Sequence, residues 1–191
     1  MEPATTPPSA PEPRTSRISD FAANLARLVK AEDRAALAAL RRGLGKAPGD
    51  VASMHPFIVP YLPDLANARD DEAWYLVGSL FGLHPEPWRG DGDSRNRSFG
   101  ATLRRLREHK GDAGGPGIDR RMVAVLNAHR DDVGTHLRQA IGLLRGGETP
   151  VDWAQLLRDL LRWDHPDRPA QRQWARDYYR GTPASTTTHT D

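Results

Sequence analysis

The chain has 191 residues, 38% of them hydrophobic, with a formal net charge of +2 and a pI near 9.2. That length suits one domain with a real core. It holds no cysteine, which excludes a disulfide framework, a thiolate metal site and a thiol nucleophile.

Residues 1–15 are rich in Pro, Thr and Ala, with no large apolar residue after Met1, and are expected to be a disordered extension; residues 182–191 read the same way. The N-terminus lacks a basic-plus-apolar signal and the apolar run from Trp74 to Leu83 is too short to span a bilayer, so a cytoplasmic protein without membrane contact is expected. Between these ends, residues 16–181 are expected to form a single all-helical domain.

A first helix should start near Ser16 or Ser19, with Phe21, Leu25 and Leu28 facing inward. Asp33 should cap a second, whose inward residues are Leu37 and Leu40. Its C-terminal end carries Arg41 and Arg42, where cations complement the helix dipole, and Gly43 closes it. Gly45-Lys46 is not a phosphate loop, because Leu40 stands in place of the first glycine and Ala47 in place of the Ser/Thr. The four prolines of residues 48–63 allow a short helical turn at most, with Phe57, Ile58, Tyr61 and Leu62 packing as core. Asp70 to Leu83 reads as a buried helix through Trp74, Val77, Leu80 and Phe81.

A polar loop over 85–97 carries Trp88, a candidate to stack on a nucleobase. Ser98 to Lys110 should be helical, with Phe99, Leu103 and Leu106 inward and Arg104, Arg105 and Arg107 fanned around the rest. Residues 111–117 (GDAGGPG) read as a flexible linker. Beyond it, Met122, Val125 and Leu126 face inward while Arg120 and Arg121 project from a helix's first turn. Cations there oppose the macrodipole, so an external anion accounts for them better than local stability does. In the following helix Leu137, Ala140, Ile141 and Leu144 share one face, and Arg138 and Arg145, seven apart, share a neighbouring one.

Asp152 should cap the next helix, with Trp153, Leu156, Leu157, Leu160 and Leu161 inward and Asp159, Arg158 and Arg162 along its solvated side. A final helix over 169–180 packs Trp174, Tyr178 and Tyr179. With no strand pattern, the fold class is all-α, a bundle of roughly eight helices without a sheet.

Charge is unevenly placed. Ten basic residues lie between Arg95 and Arg138 against five acids, whereas five acids cancel five arginines between Asp152 and Asp177. A basic middle is the footprint of a polyanion partner, and a solvated basic face is the plainer alternative. An all-α metal-dependent phosphohydrolase using His129, Asp131, Asp132 and His136 is a competing reading. A helical adaptor for acidic proteins is another. The acidic pairs Asp70-Asp71 and Asp131-Asp132 are accounted for as helix N-terminal residues. No catalytic residue, cofactor or metal ligand is assigned.

The order of several short blocks resembles a known family. They are Ala39-Leu40-Arg41-Arg42-Gly43, Ser98-Phe99-Gly100, Ile118-Asp119-Arg120-Arg121-Met122 and His136-Leu137-Arg138-Gln139-Ala140. Val151 to Leu157 with Asp159, Leu160 and Trp163 follows, and Trp174-Ala175-Arg176-Asp177-Tyr178 closes the series. Over about residues 20–180 the chain resembles the CasB family, the small subunit of the Cascade complex of type I-E CRISPR systems. The resemblance implies a non-catalytic, all-helical subunit of a crRNA-guided antiviral complex. Its partners would be the backbone and large subunits, a second copy of itself, and nucleic acid. The nucleic acid would be target or displaced DNA, with crRNA a further candidate. The basic residues carried over by position are Arg41, Arg42, Arg120, Arg121 and Arg138, with Arg104, Arg107 and Arg145 alongside. The Pro-rich extension departs from the family pattern.

Overall fold

A computed structural model describes residues 14–64, 67–90 and 97–180. The expected disordered ends thus lie almost wholly outside the described residues. Asn67 caps α4 (Ala68–Leu83), the element around which the first half of the chain is arranged: its carboxamide accepts the Asp70 N–H at 2.9 Å. Trp74, Val77, Leu80 and Phe81 are all buried, as their spacing requires. Against α4 pack α2 (Arg34–Arg41), α6 (Arg130–Gly146) and α7 (Trp153–Leu160), while α1 (Arg14–Lys30) lies on α7. Phe21 of α1 meets the Trp74 ring edge-on at 5.2 Å, a favoured aromatic geometry.

Asp33 and Asp152 cap α2 and α7, accepting the N–H groups of Ala36 and Gln155 at 2.9 and 2.8 Å. Helix α1 begins at Arg14, ahead of either predicted serine. The proline-rich segment is a series of short turns, with α3 (His55–Ile58) set between two 3-10 turns. Proline at the start of such turns removes only an N–H that had no partner. Of the residues expected to pack there, Ile58 is fully buried and Phe57, Tyr61 and Leu62 are partly so.

The second half is built on α5 (Phe99–Asn127) and α8 (Pro169–Tyr179), with α6 joining the halves. Ser98 caps α5, and Gly100 lets the helices close: a Cβ there would stand 2.0 Å from the Trp174 carbonyl oxygen. One correction concerns residues 111–117. They are helical, not a flexible linker; α5 breaks sharply at Gly111 (φ 60°, ψ −162°) and continues as a second arm. That backbone geometry is open essentially to glycine alone, and Pro116 falls in the opening turns of the new arm, where few intrahelical bonds are lost.

A second correction concerns Asp159, which is buried and not on a solvated side. Trp174 Nε1 and Gln155 Nε2 donate to it at 2.6 and 2.8 Å. Leu161 is partly buried, and Tyr179, expected to pack, is 44% exposed. Among the described residues there is no strand. A lone parallel bridge joins Pro87 to Val151. No described helix is long and apolar enough to cross a membrane.

Candidate nucleic-acid interface

Helix α6 is the centre of the arginine arrangement. Val133, Leu137, Ala140, Ile141 and Leu144 are buried, which fixes its rotation. Arg138, Gln139 and Arg145 are consequently left exposed. Seven residues separate the two arginines, about 10 Å along the axis.

Along one side of α6 lie two grooves that have α4 as a common wall, together termed the cleft. Near its C-terminal end the cleft is a groove of about 530 Å³ lined by Arg34, Leu37 and Arg41 of α2, Gly82 and Leu83 of α4, and Arg145. Near its N-terminal end a groove of about 450 Å³ is lined by the Gly43–Pro48 loop, Glu72, Tyr75 and Ser79 of α4, and Arg138. Helix α4 walls one groove with residues from 72 to 80 and the other with residues 82 and 83, a combined length of about 16 Å. The Arg138 guanidinium lies against the loop, with Nη1 3.8 Å from where a Cβ of Gly45 would be. The cleft is not purely basic, since Glu86 and Glu148 line one end and Glu72 and Asp131 the other. Among the described residues, however, none of these carboxylates forms an ion pair with Arg34, Arg41, Arg138 or Arg145.

The other side of α6 meets the second arm of α5. Arg121 donates to the Gln139 side chain, and its own Nε is buried without a hydrogen bond. Arg120 and Arg121 line a smaller groove of about 410 Å³ with Leu143 of α6. Arg120 is exposed. Arg42 turns elsewhere, donating to Ser53 Oγ at 3.2 Å.

The remaining α5 arginines are engaged within the chain. Arg107 donates to both oxygens of Asp119, at 2.8 and 3.4 Å. Arg104 approaches Glu108 at 3.7 Å and donates to the Arg180 carbonyl at 3.3 Å. Arg105 stacks on Trp88, its guanidinium carbon 4.6 Å from the ring centroid, and burial, reinforced by Arg104, lowers its pKa. Trp88 therefore has one face occupied, and its indole N–H is donated to the Gly90 carbonyl at 2.7 Å. Arg130 holds the carbonyls of Leu160 and Arg69, tying α7 to α4.

His129, Asp131 and Asp132 sit at the exposed start of α6. With His136 they do not come together: among the described residues no group of three or more His, Asp or Glu is placed to hold a metal ion. Two residues of the cleft are absent from the set that sequence reasoning selects. Arg34 is the first residue of α2, and a cation there opposes the dipole, so a signal for it exists. Arg120 and Arg121, expected in a helix's first turn, instead lie well inside α5, whose second arm begins just after Gly111, so the dipole argument does not hold for them. Lys46 reaches the cleft only through the turn at Gly45, which nothing in the sequence announces.

A family described as CRISPR-associated protein Cse2 matches residues 36–179 of the chain. A CRISPR-associated protein Cse2 from Thermus thermophilus is 40% identical over 146 residues, spanning 76% of this chain and 79% of that protein. A crystal structure of CasB from Thermus thermophilus superposes with a TM-score of 0.67 at 35% identity, covering 86% of this chain and 97% of that one. A chain of a CRISPR RNA-guided surveillance complex superposes with a TM-score of 0.74 at 29% identity, covering 88% and 94%.

Proposed function

The chain belongs to the Cse2 family of CRISPR-associated proteins, and from that premise we propose that it is a non-catalytic subunit of a crRNA-guided Cascade surveillance complex that holds a nucleic-acid backbone in the cleft between α2 and α6. The observation that carries this reading is the placement of Arg41 and Arg145 in one groove and Arg138 in the next, both walled by α4, without ion-pair partners among the described residues. Such guanidiniums are free to take phosphate oxygens in bidentate fashion. Arg34 and Lys46 extend the same surface. Arg120 and Arg121 give it a second bank across α6, whereas Arg42, bound to Ser53, lies outside both grooves. Arg104 and Arg107, already engaged with Glu108 and Asp119, contribute less.

The chemistry fits a subunit of this kind. In an RNA-guided complex, guide pairing reads the sequence, so a helper need only neutralise phosphate and fix the strand's position. Exposed guanidiniums on a helix whose opposite face is buried supply that charge from a fixed backbone. Binding of this type varies little with sequence and falls steeply with salt, by about 0.7 to 0.9 log units of affinity per log unit of salt for each neutralised phosphate.

The test is direct binding of the full chain to mixed-sequence single-stranded DNA by fluorescence anisotropy at low salt. Arg41→Glu, Arg138→Glu and Arg145→Glu combined should weaken binding at least tenfold with helical content unchanged by circular dichroism. Unaltered affinity would remove the cleft as the binding surface.

A further inference from the structure

The break at Gly111 must be held by something other than its own packing. No atom lies within 4 Å of where a Cβ of Gly111 would stand. The glycines at 114, 115 and 117 give the following turns little conformational resistance. Yet the second arm is placed closely enough for Arg121 to reach Gln139 of α6.

The second arm packs Ile118, Met122 and Val125 into the core, and a carboxylate bridges the break itself. Arg107, one turn before Gly111, reaches past it to bind both oxygens of Asp119 on the second arm. Tyr178 of α8 donates its hydroxyl to the same carboxylate at 2.5 Å. Its ring is buried, and burial together with the Asp119 charge holds the phenol protonated, so the donor is always present. Gly115 lies against the Arg107 guanidinium, its Cβ position 3.7 Å from Nε, so the turn wraps over the ion pair it needs.

We propose that Arg107, Asp119 and Tyr178 form a positioning clamp that locks the break in α5 and so fixes where Arg120 and Arg121 stand beside α6. Successive residues on a helix point about 100° apart. Pinning Asp119 to Arg107 and Tyr178 therefore sets the direction of both following arginines. Satisfying Asp119 internally also keeps its charge from neutralising Arg120 next to it. Arg107 is thus a positioning residue and not a phosphate contact. The consequence for binding rests on the proposed function; the clamp itself does not.

The two roles of Arg107 differ in sign when Asp119 is neutralised. Asp119→Asn and Tyr178→Phe remove no positive charge, and Asp119→Asn makes the chain more basic. If Arg107 were a phosphate contact, freeing it would leave DNA affinity unchanged or raise it. The clamp together with Arg120 and Arg121 as phosphate contacts requires a loss, of about tenfold. Since the chain has no cysteine, spin labels at His109→Cys and Val123→Cys, both exposed and on opposite sides of the break, read its geometry directly in the full-length protein. The distance distribution between them should be single and narrow, and should broaden or shift with Asp119→Asn or Tyr178→Phe. An unchanged narrow distribution in both variants overturns the clamp. A broadened distribution with unchanged DNA binding leaves the clamp standing and removes Arg120 and Arg121 from the interface. If Asp119→Asn does not fold, Tyr178→Phe carries the test, because it keeps the buried ring and loses only the hydroxyl.

Discussion

Two regions of this molecule are rich in arginine and use it in opposite ways. Along the first arm of α5 the guanidiniums face inward obligations: Arg107 holds Asp119, Arg105 covers Trp88, and Arg104 lies between Glu108 and the Arg180 carbonyl. Between α2 and α6, Arg34, Arg41, Arg138 and Arg145 line an open cleft and pair with no carboxylate among the described residues. Arginine density alone therefore does not define a basic surface. What each guanidinium already touches decides whether it has donors left for a ligand. The α5–α8 region should accordingly answer to substitutions in stability, and the cleft in binding.

The sharpest way to break that contrast is Gly100→Ala. Its Cβ would collide with the Trp174 backbone, forcing α5 from α8 at a cost of roughly 3 kcal/mol or more. Urea unfolding should show the loss, whereas a change under about 0.5 kcal/mol would mean that the helices do not meet as closely as described.

Asp159 provides the next test on the same side. Burial raises its pKa from an ordinary 3.8 to about 6, against the lowering effect of its hydrogen bonds from Trp174 and Gln155. Because the folded state binds this proton more tightly than the unfolded state, the contribution is fully present below about pH 4. It is lost as pH rises through about 6. Relative to Asp159→Asn, the parent protein should lose about 2 to 3 kcal/mol of stability between pH 4 and 7. Parallel stability–pH curves for the two would show that the carboxylate is not buried.

On the cleft side, Arg138→Glu with Arg145→Glu should weaken DNA binding by about 30-fold, roughly 2 kcal/mol, while the urea midpoint stays in place. The smallest effect should come from the same double reversal at Arg172 and Arg176, exposed on α8 away from the cleft. Affinity there should change less than twofold at moderate salt, because separated surface charges are screened. A comparable loss at both pairs would reduce the cleft to one part of a diffuse basic surface.

The helices are readable in the sequence because their apolar residues recur with a helical period. The stripe through Leu137, Ala140, Ile141 and Leu144 is enough by itself to set which way Arg138 and Arg145 point. Contact across distance is not readable in the same way. Asp159 sits beside Leu160 in sequence, yet its burial comes from Trp174, fifteen residues on and in another helix. Arg107 looks like one more cation on a basic helix, since its partner lies twelve residues away beyond a glycine-rich break. Composition suggests a linker at 111–117, where glycine instead permits a sharp turn around a guanidinium. Arg34 is a different case. The dipole argument fails for Arg120 and Arg121, which lie well inside α5, and holds instead for Arg34 at the start of α2, so its exposure to a ligand was legible in principle, although Arg41 and Arg42 at the other end of α2 draw the eye first.

The salt dependence of DNA binding tests the cleft most directly. Comparing the full chain with an Arg41→Gln, Arg138→Gln, Arg145→Gln variant, log Kd against log salt concentration should lose about 0.7 units of slope for each phosphate contact removed on a single strand, about 2 units in all. Two parallel lines would show that these arginines do not meet phosphate and would contradict the account.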